Sequence, residues 1–122
     1  AVFAVEPDPR AAGLVEANAR SRGVAVEVVR GRAPQALAGL PDPDRVFVGG
    51  GGLEVLRACL DRLRPGGRLA ATFAAMDRAV AAHRLLGSLV QLDVAVAEPL
   101  PDGGLRLRGG NPVFLAWGPG GR

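Results

Sequence analysis

The residue best placed to do chemistry is an acid, Glu6, which follows the short apolar segment Ala1 to Val5. That segment has the composition of a β-strand, and Pro7-Asp8-Pro9 after it begins an amphipathic helix. In doubly wound α/β folds, an acid just past the second strand accepts hydrogen bonds from ribose hydroxyls. We therefore interpret Glu6 as a bidentate acceptor for a ribose; the alternative is a solvated residue at a strand end.

Four consecutive glycines, Gly49 to Gly52, lie between a predicted strand, Arg45 to Val48, and a predicted helix, Leu53 to Leu63. Such a run is costly unless the backbone needs positive φ angles or close approach to another group. Its position favours backbone packed against a ligand, and a flexible loop is the alternative. No Lys-Ser/Thr pair follows and the spacing does not fit G-x-G-x-x-G, so neither standard phosphate-binding motif is present.

The turn at Gly31 to Ala33 follows another predicted strand, Val24 to Val29, and would border the base of a bound nucleotide. Arg32 has only hydrogen-bond donors, so its side chain cannot accept from an adenine amino group. Its planar guanidinium can instead stack on the ring. A solvated Arg32 is the alternative.

Strand-like and helix-like segments alternate along the chain, which predicts a mostly parallel sheet with helices on its faces. An antiparallel hairpin is expected at the edge of the sheet, near the end of the chain. Residues 1–117 are expected to form one domain and residues 118–122 a disordered tail. The later predicted elements are the strand Arg68 to Phe73, the helix Asp77 to Leu86, the strand Leu89 to Ala97, and the strands Leu105 to Leu107 and Pro112 to Trp117.

Composition argues against several classes of partner. The net charge is +3, but all 15 basic residues are scattered arginines, and a chain with no Tyr and one Trp has little to stack on bases. We therefore expect no nucleic-acid partner. The single Cys59 lies in an apolar helical pattern and His83 has no ligand neighbours, so we expect a buried thiol, a cytoplasmic location and no metal. No apolar run has membrane-spanning length, so no membrane partner is expected.

Taken in order, these segments resemble class I S-adenosylmethionine-dependent methyltransferases, where an L-x-P-G-G-R-L joint such as Leu63 to Leu69 is common. Within that class, the chain is similar to the decarboxylating precorrin-6B C15-methyltransferase family of cobalamin biosynthesis. In many organisms that family is the C-terminal domain of a fused precorrin-6Y C5,15-methyltransferase. The segments that carry the similarity are Val2 to Pro9, Gly31 to Leu37, Val46 to Gly52 and Asn111 to Leu115.

The resemblance implies a Rossmann-like class I methyltransferase fold whose first strand is missing, because the family's first strand and glycine-rich loop would precede Ala1. It also implies S-adenosylmethionine as cofactor. Glu6 would bind the ribose of this donor, and Arg32 and Ala33 would border its adenine. The family usually has an acid where this chain has Arg32, which departs from the pattern.

The same resemblance assigns the glycine run to methyl transfer. Gly49 and Gly50 would line the transfer cleft, with Gly49 also beside the donor, and Gly51, Gly52 and Asn111 would lie on the substrate side. The function implied is methylation of a precorrin at C15 with decarboxylation. The alternatives are a methyltransferase for another small substrate, or a non-catalytic nucleotide-binding or assembly domain.

Two expectations follow from a missing central strand. The strands Ala1 to Val5 and Arg45 to Val48 would have unpaired edges, which favours a poorly soluble or homo-oligomeric chain. The 122-residue fragment alone is expected to be inactive, because the methionine end of the donor would have no binding site.

Overall fold

The structure is a computed structural model that describes residues 1–119. These residues belong to two compact units, one of residues 1–42 and one that begins at Pro43.

The first unit is a β-α-β segment. Strand β1 (Phe3–Glu6) leads into helix α1 (Pro9–Arg22), and strand β2 (Glu27–Arg30) pairs in parallel with β1, from Phe3 opposite Glu27 to Glu6 opposite Arg30. A short 3-10 helix (Gln35–Leu37) follows.

The ends of α1 follow the expected capping chemistry. The Asp8 carboxylate accepts a hydrogen bond from the Arg10 N–H at 3.0 Å, and Pro9 occupies the first turn. Gly23 ends the helix with a φ of 63°, a left-handed conformation that favours glycine. The predicted helix is therefore present, but its amphipathic character is weak, because Leu14 is exposed and Ala12 is the only residue of α1 that is buried.

The elements of the second unit are β3 (Arg45–Val48), α2 (Gly52–Arg62), β4 (Arg68–Phe73), α3 (Met76–Leu86), β5 (Ser88–Leu92), β6 (Ala95–Pro99), β7 (Leu105–Gly109) and β8 (Val113–Pro119). Four of the strands form a mixed sheet in the order β3-β4-β8-β5. Strands β3 and β4 are parallel, and β8 lies antiparallel between β4 and β5. Strands β6 and β7 form a separate two-stranded antiparallel ribbon.

The core of the second unit lies where α2 and α3 pack on one face of this sheet. Every second residue of β4 is buried, which matches the period of a strand covered on one side. Leu56 and Leu69 are the largest side chains that are fully buried. The other core residues of these elements are Val48, Val55, Cys59, Ala71, Phe73, Ala79, Ala82, Leu86, Phe114 and Ala116.

The structure corrects the sequence prediction for the strand Leu89 to Ala97 and for the tail. The strand predicted from Leu89 to Ala97 is two strands, because pairing with β8 ends at Leu92 and pairing with β7 begins at Ala95. Gly118 and Pro119, predicted to belong to a disordered tail, are part of β8, where they pair with Leu69 and Arg68. Residues 120–122 of that predicted tail lie outside the described residues.

The free strand edges are where the sequence predicts them. Among residues 1–119, β1 is hydrogen-bonded only to β2, and β3 only to β4. Each strand therefore has one edge with unpaired backbone groups.

Candidate functional site

Glu6 ends β1 with a carboxylate whose orientation is fixed by the chain that follows it. Its Oε1 accepts a hydrogen bond from the backbone N–H of Asp8 at 2.9 Å. A carboxylate has about four acceptor positions, and this hydrogen bond occupies one of them. Arg30 lies opposite Glu6 in the register, but its guanidinium pairs with Glu16 at 3.1 Å. The Glu6 carboxylate is therefore oriented and still able to accept further hydrogen bonds.

The turn after β2 lies beside the end of β1. The N–H of Gly31 donates to the backbone carbonyl of Glu6 at 3.3 Å, so the carboxyl ends of β1 and β2 lie side by side at one edge of their sheet. Arg32 is exposed and Ala33 half-buried, and the Arg32 carbonyl accepts from the Ala36 N–H at 2.9 Å. Glu6, Arg32 and Ala33 therefore lie at the same edge of the first unit, and Arg32 is exposed to solvent.

The glycine run divides into two pairs with different structural requirements. Gly51 and Gly52 have φ angles of 82° and 68°, where other residues are strained, and they form the start of α2. A Cβ on Gly51 would also collide with Cγ2 of Val55. The start of the helix therefore accounts for Gly51 and Gly52 without any ligand.

Gly49 and Gly50 have no such explanation. Neither has a positive φ. A Cβ on Gly49 would lie 3.3 Å from Cε1 of Phe47, and a Cβ on Gly50 would meet no heavy atom within 4 Å. Neither the backbone conformation nor the packing of the described residues requires glycine at position 50. A flexible loop and close approach of another molecule remain as the two explanations for glycine at this position.

An open pocket of about 390 Å³ lies at the start of α2. Gly51 and Gly52, both predicted to lie on the substrate side, line it together with Leu53, Glu54 and Arg78. Sequence reasoning missed Glu54 and Arg78. Arg78 follows β4, and β3 and β4 are parallel neighbours, so the segments after them open at the same sheet edge. This neighbour relation comes from the sheet and is not visible in the sequence.

Asn111 lies just before β8, at the same edge of the sheet. Phe114 of β8 pairs with Phe73, the last residue of β4, so the start of β8 adjoins the carboxyl end of β4. Asn111 is exposed and is not among the residues that line the pocket.

The candidate residues thus form one group in each unit. The first unit contains Glu6, Arg32 and Ala33, and the second contains Gly49 to Gly52, Asn111 and the pocket with Arg78.

Other side chains with reactive potential are structural. Cys59 is 6% exposed in the core, and burial raises the pKa of its thiol while Arg62 lowers it. A buried thiol with a raised pKa is a poor nucleophile. Over residues 1–119, no three His, Cys, Asp or Glu side chains are grouped so that they could hold a metal ion. In the same range, no helix combines the length and apolar character needed to cross a bilayer.

The sequence matches a known family over nearly all of its length: the precorrin methyltransferase domain aligns with residues 1–113. A precorrin-6Y C(5,15)-methyltransferase (decarboxylating) of Sinorhizobium sp is 49% identical over 70 residues. That alignment covers 55% of this chain and 17% of the relative. A probable cobalt-precorrin-6B C(15)-methyltransferase (decarboxylating) of Pyrobaculum calidifontis is also 49% identical over 70 residues, covering 53% and 36%.

The fold has solved relatives as well. The crystal structure of a precorrin 8w decarboxylase of Methanobacterium thermoautotrophicum superposes with a TM-score of 0.80 at 32% identity, covering 99% of this chain and 69% of the other. The matched segment spans well under half the length of the curated relatives. The expected α/β class I methyltransferase fold is confirmed. The chain therefore belongs to the precorrin methyltransferase domain family.

Proposed function

We propose that the full-length protein containing this chain transfers a methyl group from S-adenosylmethionine to C15 of a precorrin, with loss of a carboxyl group as carbon dioxide. The proposal rests on Gly50. Neither the backbone angle nor a neighbouring atom in residues 1–119 requires glycine at this position. It lies at the carboxyl end of a parallel strand, the edge at which α/β sheets bind ligands. Family membership supplies the substrate class.

The residues of the first unit fit the nucleoside part of the donor. The Glu6 carboxylate, held by the Asp8 N–H, has acceptor capacity for two ribose hydroxyls. The turn that carries Arg32 and Ala33 lies beside it and would border the adenine, with Arg32 stacking on the ring. An acid at position 32 could accept a hydrogen bond from the adenine amino group, but Arg32 has only donors. We therefore propose that adenine is recognised in this chain by stacking.

The residues of the second unit fit the transfer step. The bound cofactor supplies a methyl group on a sulfonium, and in-line displacement at that carbon depends mainly on alignment of donor and acceptor. Gly49 and Gly50 would let the backbone approach both molecules, because neither residue has a side chain, and the space beside Gly50 is open to at least 4 Å. Gly51 and Gly52 begin α2 beside the substrate, and their pocket includes the cation Arg78.

Arg78 is the arginine best placed to bind a substrate carboxylate. It is exposed, it lines the pocket, and it makes no ion pair within residues 1–119. Precorrins carry several carboxylate side chains, and a guanidinium pairs with a carboxylate in bidentate geometry. In this proposal Arg78 orients the substrate, and Asn111 contributes a further polar contact at the same edge.

A non-catalytic nucleotide-binding or assembly domain is the second candidate, and exposed Arg32 favours it because this side chain offers the adenine no acceptor. The deciding experiment uses the full-length protein. Calorimetry with S-adenosylhomocysteine measures donor binding, and mass spectrometry of a precorrin-6B reaction detects a product that has gained a methyl group and lost carbon dioxide. Binding without turnover would favour the assembly domain. Methylation of another acceptor alone would point to a different small substrate.

A further inference from the structure

Glu54 and Arg78 are the two charged residues that line the pocket at the start of α2. Glu54 belongs to the first turn of that helix, and Arg78 lies in the first turn of α3. Both residues are exposed, and within residues 1–119 neither makes an ion pair. In the described part of the chain, the pocket therefore presents one anion and one cation to a bound molecule.

Glu54 lies close along the chain to the glycine at which methyl transfer is proposed. The residues between Gly50 and Glu54 are Gly51, Gly52 and Leu53, and all three line the same pocket. The space beside Gly50 is open to at least 4 Å. A precorrin whose acceptor carbon approaches the backbone at Gly50 therefore has its ring beside the pocket that contains Glu54.

Methyl transfer to a precorrin changes the charge of the substrate. An electron pair of the conjugated ring forms the bond to the methyl carbon. The bond between that carbon and the sulfonium sulfur breaks, and its electron pair stays on sulfur. The positive charge of the sulfonium therefore moves to the ring. Loss of the carboxyl group as carbon dioxide then returns the electron pair of the broken carbon–carbon bond to the ring, which cancels this charge.

We propose, building on the function proposed above, that Glu54 is a catalytic residue that stabilises the positive charge developing on the ring during methyl transfer. Fixed charges aimed at a charge that develops in the transition state are a main source of catalysis. A substrate carboxylate neutralises Arg78 when the two pair, so the charge of Glu54 remains uncompensated in the pocket. The bound ring also displaces water from the pocket, which strengthens the attraction.

Glu54 acts on the bound substrate and on the transition state in opposite directions. Before the transfer, the carboxylate of Glu54 repels a substrate that carries several carboxylates. During the transfer, the same carboxylate attracts the positive charge that appears on the ring. Arg78 differs, because it attracts a substrate carboxylate at both stages. Removal of the Glu54 charge therefore lowers kcat without weakening precorrin binding, whereas removal of the Arg78 charge weakens binding.

Glu54→Gln in the full-length protein tests this role, because it keeps the shape of the side chain and removes its charge. Single-turnover methyl transfer should be about 10- to 100-fold slower, less than the roughly 10²–10³-fold cost of such a change in a closed site, because this pocket is open. The dissociation constant of the precorrin, measured by absorbance titration without the methyl donor, should be unchanged or lower. Glu54→Asp keeps the charge and should retain more of the rate.

The matched control is Asp61→Asn, which removes an exposed carboxylate from the last turn of the same helix and should change neither rate nor affinity. If Glu54→Gln fails to fold, Glu54→Ala takes its place, because alanine favours a helix. A folded Glu54 variant with the wild-type rate overturns the role of Glu54 and leaves the proposed function standing. Precorrin affinity that falls as in Arg78→Gln also overturns this role. A wild type that methylates no precorrin overturns both proposals.

Discussion

Gly50→Val separates a transfer cleft from a flexible loop more sharply than any other single change. The new side chain meets no described atom within 4 Å at its Cβ, and the φ of Gly50 is not positive. Replacing glycine at a compatible position changes stability by about 1 kcal/mol or less. For a domain of this size, that corresponds to a melting-temperature shift of at most about 4–8 °C.

The expected effect on catalysis is much larger. If donor and acceptor approach the backbone at Gly50, the valine displaces one of them, and a shift of about 1 Å costs roughly a hundredfold in rate. That factor equals about 2.7 kcal/mol of activation free energy. The measurement is kcat for methyl transfer by the full-length variant, with the melting temperature recorded on the same preparation.

Two matched changes complete the Gly50 experiment. Gly39→Val, at another glycine with open space and no positive φ, should leave both kcat and melting temperature near wild type. Gly51→Ala should lower stability by about 1–3 kcal/mol, because its φ is 82° and its Cβ would collide with Val55. Near-normal kcat in Gly50→Val would refute the argument and make Gly49 and Gly50 a linker.

Three further changes test other parts of the structure. Glu6→Ala should weaken S-adenosylhomocysteine binding at least about a hundredfold, because two charge-assisted hydrogen bonds of about 1.5–3 kcal/mol each are lost; unchanged affinity in calorimetry would remove the ribose role. Arg78→Gln should raise KM for the precorrin and leave donor affinity unchanged, whereas equal effects on both would contradict a substrate contact. Gly118→Ala should destabilise the second unit by about 1–3 kcal/mol in chemical denaturation, because its Cβ would collide with the Leu86 carbonyl; wild-type stability would show that β8 can move aside.

The sequence predicts the strand bounds well where composition marks both ends of a strand. The bounds of β3 and β4 are as predicted, because turn residues flank each apolar segment. Strand β2 begins three residues later than Val24, since it pairs with β1 only from Phe3 onward. The predicted strand Leu89 to Ala97 is divided into β5 and β6 because its two halves pair with different strands. The alternation of apolar residues does not show which strand pairs with which.

In the candidate site, too, some features are visible in the sequence and others depend on the folded structure. The position of Glu6 at a strand end is visible in the sequence, but the hydrogen bond from the Asp8 N–H depends on how the chain turns into α1. The sequence presents four equivalent glycines, and only backbone angles and the contact with Val55 separate Gly51 and Gly52 from the other two. Arg78 enters the pocket because β3 and β4 are neighbours, which is a property of the sheet.

The interior position of β8 sets an order for folding during synthesis. Strands β4 and β5 are not neighbours; each pairs with β8, which begins about 40 residues after β4 ends. At about 5–20 residues per second, a ribosome needs roughly 2–8 s to add that length. Throughout this interval β4 has one open edge, and β5, once it has been synthesised, has no partner in the sheet. The sheet of the second unit is therefore complete only after β8 has left the ribosome. Until then the unpaired backbone groups at the edge of β4 are a binding site for chaperones.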